Sequence, residues 1–187
     1  MQDPVTWLGP MYEEDIVFSD NKNTILLTNG PIYYNMQQLE NFLQKTLINN
    51  LKLDKSISSD IGYLCNEYSY NESGFTLHTF PSGYVGWIGY QYHTWEAASN
   101  DTRYITWLYN DSCGNIIFEI TPFYPYMYCE PEEEPNYIPY HEWIKTYKPY
   151  LTTILPIEIA QQWLDQAQYI IKNIQNNEET WQKTKIY

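Results

Sequence analysis

The segment RYITWLYNDSCGNIIFEIT, residues 103–121, constrains the fold more than any other stretch. Ile105, Trp107 and Tyr109 alternate with Tyr104, Thr106 and Leu108. Across the turn residues Asp111–Gly114, Ile116, Phe118 and Ile120 alternate with Ile117 and Glu119. A period of two puts successive side chains on opposite faces, so these are two antiparallel strands of a hairpin. One face is expected to be buried and the other half-aromatic.

Other strands are expected before this hairpin. GFTLHTF (Gly74–Phe80), a Pro-Ser-Gly turn and YVGWIGYQY (Tyr84–Tyr92) read as a second hairpin, giving with the first a meander of at least four antiparallel strands. Gly83, Gly86 and Gly89 recur at every third residue, where they would let a bulky aromatic or another backbone approach closely. Val5–Leu8, Asp15–Ser19 and Thr24–Thr28 are further strand candidates. Asn29-Gly30 signals a tight turn, with Ile32–Tyr34 returning.

Helical periodicity appears twice. Met36–Leu53, capped by Asn35, places Leu39, Leu43, Leu47 and Leu51 on one face beside Phe42. Ile157–Gln175, with Pro156 in its first turn, places Ile159, Trp163, Ala167, Ile170, Ile171 and Ile174 together. Leu53–Gly62 reads as a polar connection and Tyr140–Lys148 as a short helix stopped by Pro149. The tail from about residue 176 is polar and expected to fray. With no repeat and no linker, the 187 residues read as a single α+β domain: an antiparallel meander, two main helices and a Pro/Tyr/Glu-rich loop.

Charge narrows the function. Ten basic residues against 23 acidic ones leave a formal charge of −13. Such a surface repels phosphate backbones and anionic membranes and attracts basic partners, so neither direct nucleic-acid binding nor membrane association is expected. No apolar run reaches bilayer length and MQDPVTWLGP has no secretory pattern, which makes the expected location cytoplasmic. Cys65, Cys113 and Cys129 form no CxxC and are expected to be free thiols. The 20 Tyr and 7 Trp against 6 Phe favour half-buried walls and binding surfaces over a dry core.

Catalytic patterns are missing. His78, His93 and His141 show no HxH or HExxH spacing, so no metal site or other cofactor is expected. Cys113 sits in a turn instead of at a helix N-terminus, and there is no Walker A loop or GxSxG elbow. A glycosidase could draw an acid and a base from Glu67, Glu96 and Glu119, and a carbohydrate-binding module could use Trp87, Trp95 and Trp107 as platforms. Spare carboxylates are common in an acidic chain, and the expectation is a binder and not an enzyme.

The segment PFYPYMYCEPEEEPNYIP, residues 122–139, cannot be regular structure, because its five prolines remove donors and forbid helix. Its aromatics give it something to bury, which argues against disorder. Glu130, Glu132, Glu133 and Glu134 would steer a basic protein and accept arginine bonds, with Tyr137, Tyr140 and Trp143 as neighbouring anchors. The plain alternative is a solvated acidic loop. The acidic run, the 103–125 hairpin segment and the acidic, Tyr- and Trp-rich α+β composition resemble in type the immunity proteins of bacterial polymorphic toxin and contact-dependent inhibition systems. That resemblance implies a cytoplasmic inhibitor that binds a cognate toxin domain, often a basic nuclease, and occludes its active site. It carries no residue roles and leaves the oligomeric state open. A phage-type acidic DNA mimic shares the charge argument.

Overall fold

The computed structural model describes residues 13–19, 24–57, 60–71, 74–99, 102–127, 129 and 134–184. In chain order they form β1 (Ile16–Ser19), β2 (Thr24–Thr28), α1 (Ile32–Leu47), α2 (Ile61–Tyr70), β3 (Leu77–Thr79) and β4 (Val85–Trp87). A 3₁₀ turn, Ile88–Tyr92, leads to β5 (His93–Ser99), β6 (Thr102–Asn110) and β7 (Ile116–Pro122). After the proline-rich segment come α3 (Tyr140–Trp143), a 3₁₀ turn Ile144–Thr146, β8 (Leu151–Ile154) and α4 (Ile157–Thr184). The architecture is α+β. The strand candidate Val5–Leu8 lies outside the described residues.

The 103–121 hairpin is the centre of a four-stranded antiparallel sheet of order β5-β6-β7-β8. Leu108 lies opposite Phe118, and Tyr109 opposite Ile117. Residues 105 to 110 are all buried, so the half-aromatic face is covered as well as the other. The reason is a layer on each side. Thr106, Leu108, Phe118 and Ile120 face α1 and α4, where the Phe118 ring meets Trp163 edge-on at 5.5 Å. Ile105, Trp107, Tyr109, Glu119 and Thr121 face α2, which comes close because Gly62 has no Cβ to meet Thr121.

Several boundaries differ from the sequence expectation. The 74–92 hairpin is a separate two-stranded ribbon, β3-β4, and the meander is completed by β5 and β8. Gly86 and Gly89 lie under the rings of Tyr84 and Trp87, the close approach their spacing suggested. Asn29-Gly30 turns the chain into α1 and not into a strand. The positive φ of Gly30, 104°, makes the bend, and helix begins directly after Pro31. Asn35 is therefore a buried helical residue and not a cap; its Oδ1 accepts from Thr28 Oγ1 at 3.3 Å.

Helix α1 stops at Leu47, short of the expected Leu53. Asn49 takes a left-handed φ of 55°, a conformation asparagine tolerates at helix ends. Asn110 then gathers the strand that leaves: it donates Nδ2 to Thr46 O at 2.9 Å and accepts from Leu51 N–H at 3.2 Å. A terminal helix carbonyl is thus satisfied by a buried side chain. Helix α4 runs on to Thr184, beyond the expected Gln175. Its buried stripe is Ala160, Leu164, Ala167 and Ile171, flanked by Trp163 and Ile170, while Ile159 is exposed. Among the described residues no helix is long and apolar enough to cross a membrane.

Candidate functional site: the aromatic lobe and its cleft

Beyond β7 the chain builds a second, smaller core. Tyr124, Tyr126 and Tyr140 are buried in it, with Tyr137, Trp143 and Ile144 packed around them. The ring centroids of Tyr124 and Tyr140 are 5.3 Å apart and those of Tyr126 and Tyr137 5.4 Å apart. Tyr70 of α2 stacks on Tyr140 at 4.0 Å, which joins this lobe to the sheet. Packing alone does not fix it. Tyr124 OH donates to Ile138 O at 2.8 Å, and Tyr126 OH donates to Asn136 O at 2.9 Å. Tyr140 OH donates to Glu67 Oε1 at 2.7 Å, and Tyr124 N–H donates to Asn66 Oδ1 at 2.8 Å. Prolines cannot donate, so carbonyls in a proline-rich segment need donors from elsewhere, and tyrosine hydroxyls supply them here.

The bond from Tyr126 to Asn136 ties together the two ends of the stretch that carries the acidic run. Glu130, Glu132 and Glu133 themselves lie outside the described residues. Glu134 is half-buried, and its carbonyl accepts from Tyr137 N–H at 3.1 Å. Tyr137 and Trp143 are also half-buried. Tyr140, expected as an exposed anchor, is only 5% exposed, with its hydroxyl committed to Glu67. Its part is to hold the lobe on α2. Burial, with Glu67 beside it, pushes that hydroxyl well above the ordinary tyrosine range, so the bond persists throughout physiological pH.

Beside the lobe opens a cleft of about 310 Å³, walled by Tyr104, Phe123, Trp143, Tyr147 and Tyr150. Arg103 and Lys148 also line it. Arg103 is not free: its guanidinium pairs with Glu96 and lies 4.6 Å from the centroid of the Phe123 ring. Lys148 is exposed. Trp143 is the one expected anchor that lines this cleft, and the sequence had not marked the opposite wall.

Under α2 lies a buried polar cluster. Glu119 is 3% exposed and accepts from Tyr109 OH at 2.8 Å. Burial pushes its carboxyl up to about 7; the Asp60 charge adds to this, against hydrogen bonds from Tyr109 and Thr152. Asp60 caps α2 by accepting from Tyr63 N–H at 2.8 Å and also accepts from Tyr147 OH at 2.7 Å. Trp107 Nε1 donates to Thr121 Oγ1 at 2.7 Å.

The three carboxylates proposed for a glycosidase are thereby dispersed among separate partners: Glu67 with Tyr140, Glu96 with Arg103, Glu119 with Tyr109. None of them lines the aromatic cleft. Trp87, Trp95 and Trp107 are 3%, 5% and 0% exposed, so they are core residues with no open face for a sugar ring. Among the described residues no group of three or more His, Cys, Asp and Glu is arranged to hold a metal ion. The three cysteines are free, and burial pushes the Cys65 thiol up to about 12, which leaves it unreactive. Family models, curated proteins and solved structures yield no match to this chain.

Proposed function

We propose that this chain is a binding protein that neutralises a basic partner, as a cytoplasmic immunity protein neutralises its cognate toxin domain by occluding the active site. The acidic run from Glu130 to Glu134 makes the contact, with the half-buried Tyr137 and Trp143 beside it. The observation that carries this reading is the hydrogen bond from Tyr126 to Asn136, which closes the acidic stretch at its base. A loop whose ends are already tied loses less freedom when a partner meets it.

Charge supports the same reading. Among the described residues the only pairing of a Lys or Arg with a carboxylate is Arg103 with Glu96. The other described carboxylates are not neutralised by a Lys or Arg among the described residues, so their field is available to a basic partner. The dispersal of Glu67, Glu96 and Glu119 onto structural bonds favours a binder over a hydrolase.

The test is binding and protection. On this reading a gene beside this chain's encodes a basic toxin domain, and that domain should arrest growth alone and not when this chain is co-expressed. Reversing Glu132, Glu133 and Glu134 to lysine should cut the association rate at least tenfold, and added salt should slow the unaltered pair toward the same value. A chain that neither binds nor protects against that domain overturns the reading; unchanged association by the triple variant removes the loop from the contact.

A further inference from the structure

A second cleft, of about 450 Å³, lies between β1, α1 and α4. That volume is within the range of roughly 300–1,000 Å³ typical of occupied pockets. Its lining includes Leu27, Met36, Phe118 and Ala167, all buried members of the main core. The groove is therefore cut down to the core itself. Its rim is also apolar: Val17 is 49% exposed, and Trp163 and Ile170 are half-buried.

The mouth is charged. Asp15 lines the groove and also an adjoining open hollow shared with Glu13, Glu14, Asn29 and Gly30. All three carboxylates are exposed, and among the described residues no Lys or Arg pairs with them. An apolar trough ending in three carboxylates with no cation paired to them among the described residues has a specific complement. The occupant needs an apolar stripe of its own and cations at one end.

We propose that this groove docks a cationic amphipathic segment of a partner protein, with the apolar stripe in the trough and Lys or Arg side chains at Glu13, Glu14 and Asp15. The proposal rests on the reading of the chain as a binder of basic proteins, and it gives that partner a second point of attachment. A second copy of this chain fits poorly. It would bring another −13 charge to the same face, and Asp15 would meet carboxylates instead of cations. The passage from the groove to the cleft beside the lobe is aromatic. Phe18 lines the groove and its ring centroid is 6.5 Å from that of Tyr150, which lines the cleft beside the lobe.

The experiment uses the full chain and three fluorescent Leu–Lys peptides of identical composition. One has leucines at helical spacing, one alternates as a strand, and one is scrambled. One patterned peptide is expected to bind at least tenfold more tightly than the scrambled one. On the unaltered chain it should slow amide exchange in residues 16–19 and 163–170. Val17→Asp should weaken that binding at least tenfold although it adds a negative charge, because it removes apolar surface from the rim. Reversing Glu13, Glu14 and Asp15 to lysine should weaken it at least tenfold and abolish its salt dependence. Both variants should melt as the parent does. Equal affinity for all three peptides would reduce the effect to bulk charge and overturn the proposal. So would indifference to Val17→Asp, or a concentration-dependent dimer in sedimentation that protects the same amides. These readouts need no cognate partner, so groove docking can fail while loop-dependent association stands, and the reverse.

Discussion

The sheet and the aromatic lobe use the same residue type to opposite ends. In the sheet the backbone ladder satisfies main-chain groups, and aromatics chiefly fill space: Trp107 is fully buried with its Nε1 on the Thr121 side chain, and the Phe118 ring meets Trp163 edge-on at 5.5 Å. In the lobe five prolines deprive the main chain of donors, and the hydroxyls of Tyr124 and Tyr126 replace them, while that of Tyr140 reaches the Glu67 carboxylate. Removing side-chain volume should therefore unfold the first region, while removing a single oxygen should loosen the second.

That contrast can be broken at its strongest point first. Trp107→Ala removes a fully buried indole from the face under α2 and takes one hydrogen-bond partner from Thr121; the expected loss is about 4 kcal/mol in denaturant unfolding. A loss below about 1 kcal/mol would mean that the two layers do not share one cooperative core.

The next effect depends on pH. The Glu119 carboxyl is raised to about 7 in the folded protein from an ordinary value of 4.5, so the folded state holds this proton more tightly than the unfolded state does. Its contribution is fully present below about pH 4.5 and is lost as pH rises through about 7, a change of up to about 3 kcal/mol. Glu119→Gln can still accept from Tyr109 and carries no charge. Its unfolding free energy should vary less between pH 4.5 and 8 than the parent's, and at pH 8 it should be the more stable of the two. Parallel pH profiles would remove Glu119 from the account.

In the lobe the effect is smaller and more local. Tyr126→Phe keeps the ring and deletes the tie to Asn136, costing about 1 kcal/mol. Proteolysis between residues 127 and 136 should accelerate, and association with a basic partner should weaken. Unchanged proteolysis would show that ring packing alone closes the loop. Smallest of all, reversing Glu132, Glu133 and Glu134 to lysine should move the melting free energy by less than about 0.5 kcal/mol. A larger shift would place these carboxylates in the fold's own bonding.

The 103–121 hairpin and the helix at Ile157 were legible because their hydrophobic periods are unambiguous, whereas the helix expected over Tyr140–Lys148 is reduced to the four residues of α3 and a 3₁₀ turn ending at Thr146. Helix α2 was not legible. IGYLCNEYSY mixes polar and apolar residues on all sides, because one flank meets the sheet while Asn66 and Glu67 bond to the lobe's Tyr124 and Tyr140. Strand β8 is four residues between two prolines, too short for a period to show, and it exists because β7 offers an open edge. At the candidate site the acidic run and Trp143 stood out by residue type. Asn66, Tyr70 and Arg103 did not, and Glu67 was marked only as a candidate acid or base, since each acts through a partner distant in the chain.

By itself the sequence determined the α+β class, the central hairpin, the excess of negative charge and the irregular course of the proline-rich segment. Period, net charge and missing donors are local or additive properties, so they can be read without coordinates. Tertiary structure alone decided that both faces of the sheet are covered, and that Tyr140 turns inward while Trp143 lines a cleft. It also decided that Glu119 is buried beside Asp60, and that an apolar groove opens next to Glu13, Glu14 and Asp15. Each of these depends on which distant elements meet, and burial, pairing and cavities are properties of that meeting and not of any segment alone.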